Sequence, residues 1–328
     1  MGDMKKYESI LHLLRENENE YVSGEEIAEK LGKTRAYVWK GIAALRKDGA
    51  VIEAKTHRGY RFMRSSVKLS QSGLDALLPE YEVVYQETID STNRLCKQLA
   101  AEGKPEGTLV VSSFQSKGRG RLGRTFVSPT GGAYMSLLLR PQGGIEDSLL
   151  VTSAAGVAVS RAIQKLCHKE TEIKWVNDVF FNQKKVTGIL CEGVVSMENS
   201  SMAAIVVGIG INFATKQSEF PSDLQDIVTS LYDGEESVPS GVDANLLVAF
   251  VMQELMAIWH ALPSRDFLDE YRRRSNVIGH SVFLFHKGQK ERGLVHGIDD
   301  NAHLLVHLDS GEDITVGTGE VTLRVDHS

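Results

Sequence analysis

Residues 115–124 read Gln-Ser-Lys-Gly-Arg-Gly-Arg-Leu-Gly-Arg, four cations and three glycines in ten positions. Such a run cannot build a core: its cations repel one another, and its glycines impose little conformational restraint. It is read as a loop, mobile when empty, that the apolar segments on either side must carry. Lys117, Arg119, Arg121 and Arg124 supply point-like and forked donors. Gly118, Gly120 and Gly123 would let an anion approach main chain instead of side chains. The glycines fit G-x-G-x-x-G, but Phe126-Val-Ser-Pro-Thr-Gly-Gly follows where a dinucleotide site needs a helix, and there is no Walker lysine. A solvated basic loop would account for the charge and leave the spaced glycines unexplained.

Charge is unevenly placed along the 328 residues. The net charge is −6, yet residues 33–64 hold nine Lys/Arg against two Asp/Glu, a local +7 against −13 elsewhere. A chain of this kind directs one face at a polyanion and is no general polyanion binder. Hydrophobic content of 42% and charged content of 24% suit a globular protein of about two domains. No apolar run approaches the roughly twenty residues that span a bilayer, and no signal-peptide core is seen at the N-terminus, so a cytoplasmic protein without a membrane partner is expected. Cys96, Cys167 and Cys191 lie in apolar segments without metal-ligand spacing, as buried thiols of a reducing compartment would. The ten histidines are scattered, and no structural metal is expected.

Three segments follow from the patterning. In residues 1–64, helical periodicity covers Lys5–Glu16. Ser23-Gly-Glu-Glu26 is a capping box for Glu25–Leu31, Gly32 closes that helix, and Thr34 caps a third, Arg35–Lys47, ended by Asp48-Gly49. Two helices joined by about three residues form a helix-turn-helix. Val38, Ile42 and Leu45 point inward; Thr34, Arg35, Tyr37 and Lys40 face a DNA major groove. Ala50–Phe62 alternates as a two-stranded wing, with Lys55, Arg58 and Arg61 near its tip. A small helical interaction module is the competing reading, against which the local charge and the wing both argue. Residues 65–80, with a short Leu74–Leu78 helix, read as a linker.

Residues 81–275 alternate strands (Tyr81–Glu87, Leu109–Phe114, Ala133–Leu139, Glu172–Trp175, Val179–Phe181, Val186–Val195, Met202–Asn212) with helices (Thr92–Glu102, Asp147–His168, Asp243–Leu262). Tight turns such as Asn182-Gln183-Lys184 imply a mixed or mostly antiparallel sheet, so the fold class is multidomain α+β. Residues 276–328 show five short strands, Val282–His286, Gly293–Ile298, His303–Leu308, Ile314–Val316 and Val321–Val325, suggesting a small SH3-like barrel.

Lys174-Trp-Val-Asn-Asp178 and Gln183-Lys-Lys-Val-Thr-Gly-Ile-Leu190 sit at strand ends, and Asp90-Ser-Thr-Asn93 precedes a helix. With the Arg/Gly loop, these motifs resemble, in order, those of bifunctional biotin–protein ligases that also repress biotin genes. Val176 stands where that family usually has proline, which leaves the turn after Trp175 less restricted. The resemblance implies a class II synthetase-like ligase domain that turns biotin and ATP, with Mg²⁺, into biotinyl-5′-AMP and transfers biotin to a lysine of the biotin carboxyl carrier protein of acetyl-CoA carboxylase. It further implies that the adenylate is a corepressor, favouring a homodimer on operator DNA.

Residue by residue, the resemblance gives Ser91, Thr92 and Asn93 to the ureido ring, although Ser91 would equally serve as an ordinary N-cap. It places Gln115, Arg119, Gly120 and Arg121 on biotin or its adenylate, and Trp175 beside biotin, where core packing is the plainer reading. Lys185 would meet the biotin carboxylate and then the α-phosphate, its neighbour Lys184 being a surface hairpin lysine. Asn177 and Asp178 could orient Mg²⁺, a phosphate or the incoming amine, and Asp178 could equally hold an Asx turn. Asn212, after Gly208-Ile-Gly-Ile, matches a nucleotide-side asparagine. Phe126 and Phe220 are candidates for stacking on adenine or for core. A lipoate or octanoate transferase, or a non-enzymatic biotin-sensing regulator, remain the alternatives; the first needs neither an N-terminal domain nor this loop, and intact Lys185 and Arg121 speak against the second.

Overall fold

The computed structural model describes residues 3–17, 20–47, 50–64, 67–141, 147–195, 202–286, 288–317 and 324–325. At the N-terminus, α1 (Asp3–Glu16), α2 (Gly24–Lys30) and α3 (Arg35–Lys47) pack through one apolar side each. Ile10, Leu14, Ile27, Val38, Ile42 and Leu45 are almost wholly buried and form a core separate from the rest of the chain. Ser23 Oγ accepts from the Glu26 N–H at 3.0 Å and Thr34 Oγ1 from the Tyr37 N–H at 3.2 Å, so both helices start at expected caps. β1 (Val51–Lys55) and β2 (Gly59–Arg64) pair antiparallel as the wing and add Ile52 and Phe62 to this core. Gly59 cannot be replaced here: its φ is +104° and a Cβ would lie 2.2 Å from the Val22 carbonyl oxygen. Asp48-Gly49, expected to end α3, lies outside the described residues.

The short helix α4 (Gln71–Leu77) precedes the large sheet. Val67, Leu69, Leu74 and Leu78 are buried in the main core, and Asn245 Oδ1 accepts from the Ser70 N–H at 2.9 Å. The sheet is made of β3 (Glu82–Ile89), β4 (Thr108–Gln115), β5 (Ala133–Leu139), β6 (Glu172–Lys174), β7 (Asp178–Phe181), β8 (Lys184–Val195) and β9 (Met202–Ile211), in the order β3-β4-β5-β9-β8-β7-β6. Only β3 and β4, joined through helix α5 (Thr92–Ala101), run parallel; every other pair is antiparallel, giving the expected mixed sheet. All seven residues of β5 are buried because both faces of the sheet are covered there. On one face Val110, Leu138 and Val206 meet Cys96 and Ala100 of α5. On the other, Leu109, Met135 and Val207 meet Ala158 of α6 (Asp147–Cys167) and Val251 of α7 (Ala244–His260).

After α8 (Phe267–Arg274), the strands β10 (Ser281–His286), β11 (Gln289–Ile298), β12 (Leu304–Leu308), β13 (Asp313–Val316) and β14 (Arg324–Val325) form one antiparallel sheet in the order β13-β12-β11-β10-β14. Val282, Val295, Leu304 and Val306 join the same continuous core as the central sheet. Of the fifth expected strand, 321–325, residues 321–323 lie outside the described residues.

Candidate active site and DNA-facing surface

The start of α5 and the end of β4 meet in a small cavity bordered by Ser91, Thr92, Asn93, Gln115, Arg119, Phe126, Gly188 and Gly210. Ser91 occupies the N-cap position with extended backbone, but its side chain makes no capping hydrogen bond. That role passes to Gln115, whose Oε1 accepts from the Thr92 N–H at 2.9 Å and from Thr92 Oγ1 at 3.1 Å. The expectation of an ordinary serine cap is therefore corrected: the Ser91 hydroxyl is left for the cavity, because a side chain from a neighbouring strand serves the helix end. Gln115 Nε2 in turn donates to Ser128 Oγ at 2.9 Å.

Asn93 is held on both sides. Its Oδ1 accepts from Ser136 Oγ at 2.6 Å, and its Nδ2 donates to Glu192 Oε2 at 2.9 Å and to the Leu190 carbonyl at 3.2 Å. Burial opposes ionisation of Glu192, but hydrogen bonds from Lys97 and Asn93 outweigh it and hold the carboxyl below its ordinary range. Ser128, Ser136, Lys97 and Glu192 went unread in the sequence. A polar residue inside the apolar runs around Ser136 and Glu192 was the available signal.

The floor is glycine. A Cβ on Gly188 would come 2.7 Å from the Phe126 ring, one on Gly210 2.5 Å, and one on Gly208 2.0 Å from Asn93 Oδ1. Phe126 lies on this floor, with its ring centroid 6.4 Å from that of Tyr134 and 5.7 Å from Lys185 Nζ. Phe220 is only 3% exposed and borders neither cavity, as a core residue would, whereas Phe126 borders both.

The Arg/Gly segment folds back on itself. The Arg124 carbonyl accepts from the Gly120 N–H at 2.8 Å, and the Gly118 carbonyl from the Phe126 N–H at 3.0 Å. A Cβ on Gly118 would lie 2.3 Å from the Phe126 carbonyl oxygen, whereas one on Gly120 meets nothing closer than 3.5 Å. The glycine at 118 thus admits the returning chain, not an anion, which revises that part of the sequence reading. Arg121 is half-buried and its Nη1 donates to Asn177 Oδ1 at 3.2 Å. Burial lowers its pKa, with the Asp178 charge opposing.

Arg119, Arg121, Phe126, Trp175, Asn177, Asp178, Lys185 and Gly188 border a second, larger cleft that continues from the first. The β7–β8 hairpin turns at Asn182 and Gln183, both at positive φ, and thereby sets Lys185 across from Asp178, with Nζ 2.7 Å from Oδ1. Lys184 Nζ instead donates to the Gln225 carbonyl at 2.9 Å, away from the cleft. Trp175 falls after β6 and not within it as expected. The Trp175–Val176 peptide is cis, the indole Nε1 donates to the Ala302 carbonyl at 2.8 Å, and the Val176 carbonyl accepts from the Tyr271 hydroxyl at 3.1 Å. Both outer contacts come from the C-terminal part of the chain. Asn212 borders neither cavity; its Nδ2 donates to the Thr229 carbonyl at 3.0 Å, tying down a segment that pairs with the Lys185 backbone. Among the described residues no group of three or more His, Cys, Asp or Glu could hold a metal ion.

On the N-terminal domain Thr34, at the cap of α3, and Arg35 and Lys40 within it are exposed, as are Lys55 and Arg58 on the wing. Tyr37, expected on the same face, is half-buried with its ring 5.0 Å from Tyr7, because the α1–α3 contact needs an aromatic filler there. Arg61 pairs with Glu53 at 2.6 Å and stacks on Tyr21, which removes it from the free charge of the wing tip.

A mixed sheet with an Arg/Gly tongue and a hairpin lysine at one cleft is thus preceded by a winged helix-turn-helix. Residues 85–212 match the biotin/lipoate A/B protein ligase family and residues 6–61 a helix-turn-helix domain family. The bifunctional ligase/repressor BirA of Bacillus spizizenii is 38% identical over 310 residues, covering 92% of this chain and 94% of its own. Its Escherichia coli counterpart is 28% identical over 309 residues, covering 93% and 94%. The solved biotin protein ligase of Aquifex aeolicus in complex with biotin and ATP superposes with a TM-score of 0.63 at 28% identity, covering 75% of this chain and 99% of that one. The chain belongs to the bifunctional ligase/repressor family. Among the described residues no helix is long and apolar enough to cross a membrane.

Proposed function

We propose that this protein joins biotin to a lysine of a carrier protein in two steps, and that its N-terminal domain binds operator DNA under control of the intermediate. One observation carries the catalytic half: Lys185 and Arg121 converge on a single cleft through the adjacent pair Asn177-Asp178. A carboxylate does not acylate an amine at neutral pH, because oxide is too poor a leaving group. Attack of the biotin carboxylate oxygen on the α-phosphorus of ATP breaks the bond to the β-phosphate bridge, expels pyrophosphate and leaves a mixed anhydride. The carrier amine then attacks the acyl carbon and AMP departs.

Each part has a candidate group. Lys185, anchored on a strand, offsets charge as carboxylate meets phosphate, and Arg121 holds the bound anion. The tongue over the cleft keeps water from the anhydride. Ser91, Gln115 and the glycine floor receive the biotin ring, while Thr92 and Asn93, already engaged within the protein, position that wall. Freeing the amine of its proton costs about 4–5 kcal/mol at pH 7, and Asp178 is the carboxylate bordering the cleft that could take it. Mg²⁺ fits as an ion carried by the triphosphate, neutralising its charge, with Asn177 and Asp178 as the adjacent oxygen donors. Operator binding falls to Thr34, Arg35, Lys40, Lys55 and Arg58, in a cytosolic homodimer stabilised by the adenylate.

The test incubates the protein with ATP, Mg²⁺ and either labelled biotin or labelled lipoate, following pyrophosphate release and transfer to a carrier protein. Biotin-dependent release with transfer is expected. Activity with lipoate alone would reassign the substrate, and no activity with either would leave a non-enzymatic sensor.

A further inference from the structure

Trp39 is 65% exposed, equal with Leu122 as the most exposed large apolar side chain among the described residues. It lies in the second turn of α3, whose opposite side buries Val38, Ile42 and Leu45. Arg35, Ala36, Lys40 and Ala43 are exposed with it, so the indole sits between two cations on a helix that itself carries no acidic residue. The helix-turn-helix geometry points the first turns of this helix toward DNA. A neighbour of matching charge is a polyanion, and a flat apolar group beside two cations suits a base edge, not phosphate.

Resting on the DNA-binding reading above, we infer that Trp39 is a specificity-determining contact in the major groove. Its ring packs on a thymine methyl or presents its Nε1–H to a base acceptor, while Arg35 and Lys40 meet the flanking phosphates. The division of labour is chemical. Arg35 and Lys40 release counterions whatever the sequence, whereas an uncharged indole gains only where the base edge offers an apolar surface or an acceptor.

The experiment uses the full chain with biotin and ATP, a duplex enriched by the protein itself from a random pool, and a random-sequence duplex of equal length. Trp39→Ala is expected to weaken binding to the enriched duplex by roughly 10–100-fold, the size of a lost base contact, and to leave the random duplex within about twofold. Its salt dependence should match wild type, whereas Lys40→Ala should lower the salt slope by about 1 on both duplexes. Trp39→Phe should fall between. Iodide quenching supplies the second readout: subtracting the Trp39→Phe signal isolates Trp39, which should be accessible in the free protein and protected by the enriched duplex. Equal loss on both duplexes, no loss on either, or a Trp39 that stays quenchable on DNA overturns the inference, as does one already protected without DNA. A wild type that enriches no sequence would instead remove the DNA-binding reading itself. Because Trp39 is 65% exposed, unchanged thermal unfolding of the variants is expected and is measured alongside.

Discussion

Lys185 Nζ lies 2.7 Å from Asp178 Oδ1, each side chain about a quarter exposed, across the hairpin of β7 and β8. The pair fixes the ammonium at the cleft. A preorganised charge of this kind stabilises a transition state more than a freely rotating one.

Lys185→Ala is expected to slow adenylate formation by roughly 10²–10³, or about 3–4 kcal/mol, while the fold survives because a partly exposed ion pair adds little stability. Single-turnover pyrophosphate release measures this. A rate within threefold of wild type would return Lys185 to a surface role.

Arg121→Gly should still form adenylate and fail to retain it. The variant loses both the forked donor and the hydrogen bond to Asn177 that holds the tongue against the cleft. Faster adenylate release, with labelling of bystander lysines, is the expected outcome; an unchanged release rate would remove the retaining role.

Gly210→Ala should impair biotin binding, since the added Cβ would lie 2.5 Å from the Phe126 ring. Overpacking of this sort costs about 1–3 kcal/mol. In a double-mutant cycle with Phe126→Ala, the stability loss should largely vanish, a coupling of order 0.5–3 kcal/mol. Additive losses by urea unfolding would place the strain elsewhere.

Glu192 sets an acid limit. Its carboxyl titrates below the ordinary 4.5 because Lys97 and Asn93 hold the charged form against the opposing effect of burial. Its stabilising contribution is therefore full above about pH 4.5 and is lost as pH falls through the lowered folded-state value. Urea midpoints followed from pH 7 downward should drop less steeply below 4.5 in Glu192→Gln than in wild type. Parallel curves would assign the acid loss to other carboxylates.

Deleting residues 1–64 should abolish operator binding and spare ligation, because that domain has its own apolar core and lends no side chain to the cleft. In the intact protein, biotin with ATP should tighten binding by engaging two half-sites at once. Gel-shift titrations with and without both ligands decide it, and equal affinity would show that the domain is not under ligand control.

Local chemistry along the chain was enough to place the winged helix-turn-helix, the mixed sheet, the Arg/Gly loop and the hairpin lysine. Caps at Ser23 and Thr34, the turn before Lys185 and the basic stretch 33–64 are set by residues a few positions apart, so the sequence displays them directly. What it could not display were pairings across the fold. Asn93 and Glu192 are 99 positions apart, and Trp175 and Ala302 are 127 apart. Gln115 took over the helix-capping work expected of Ser91 for the same reason, and Gly118 proved to be shaped by the chain returning at Phe126. Periodicity and motif order register short-range preference. Which buried donor finds which acceptor depends on how the strands are ordered in the sheet, and that order is decided only when the whole core closes.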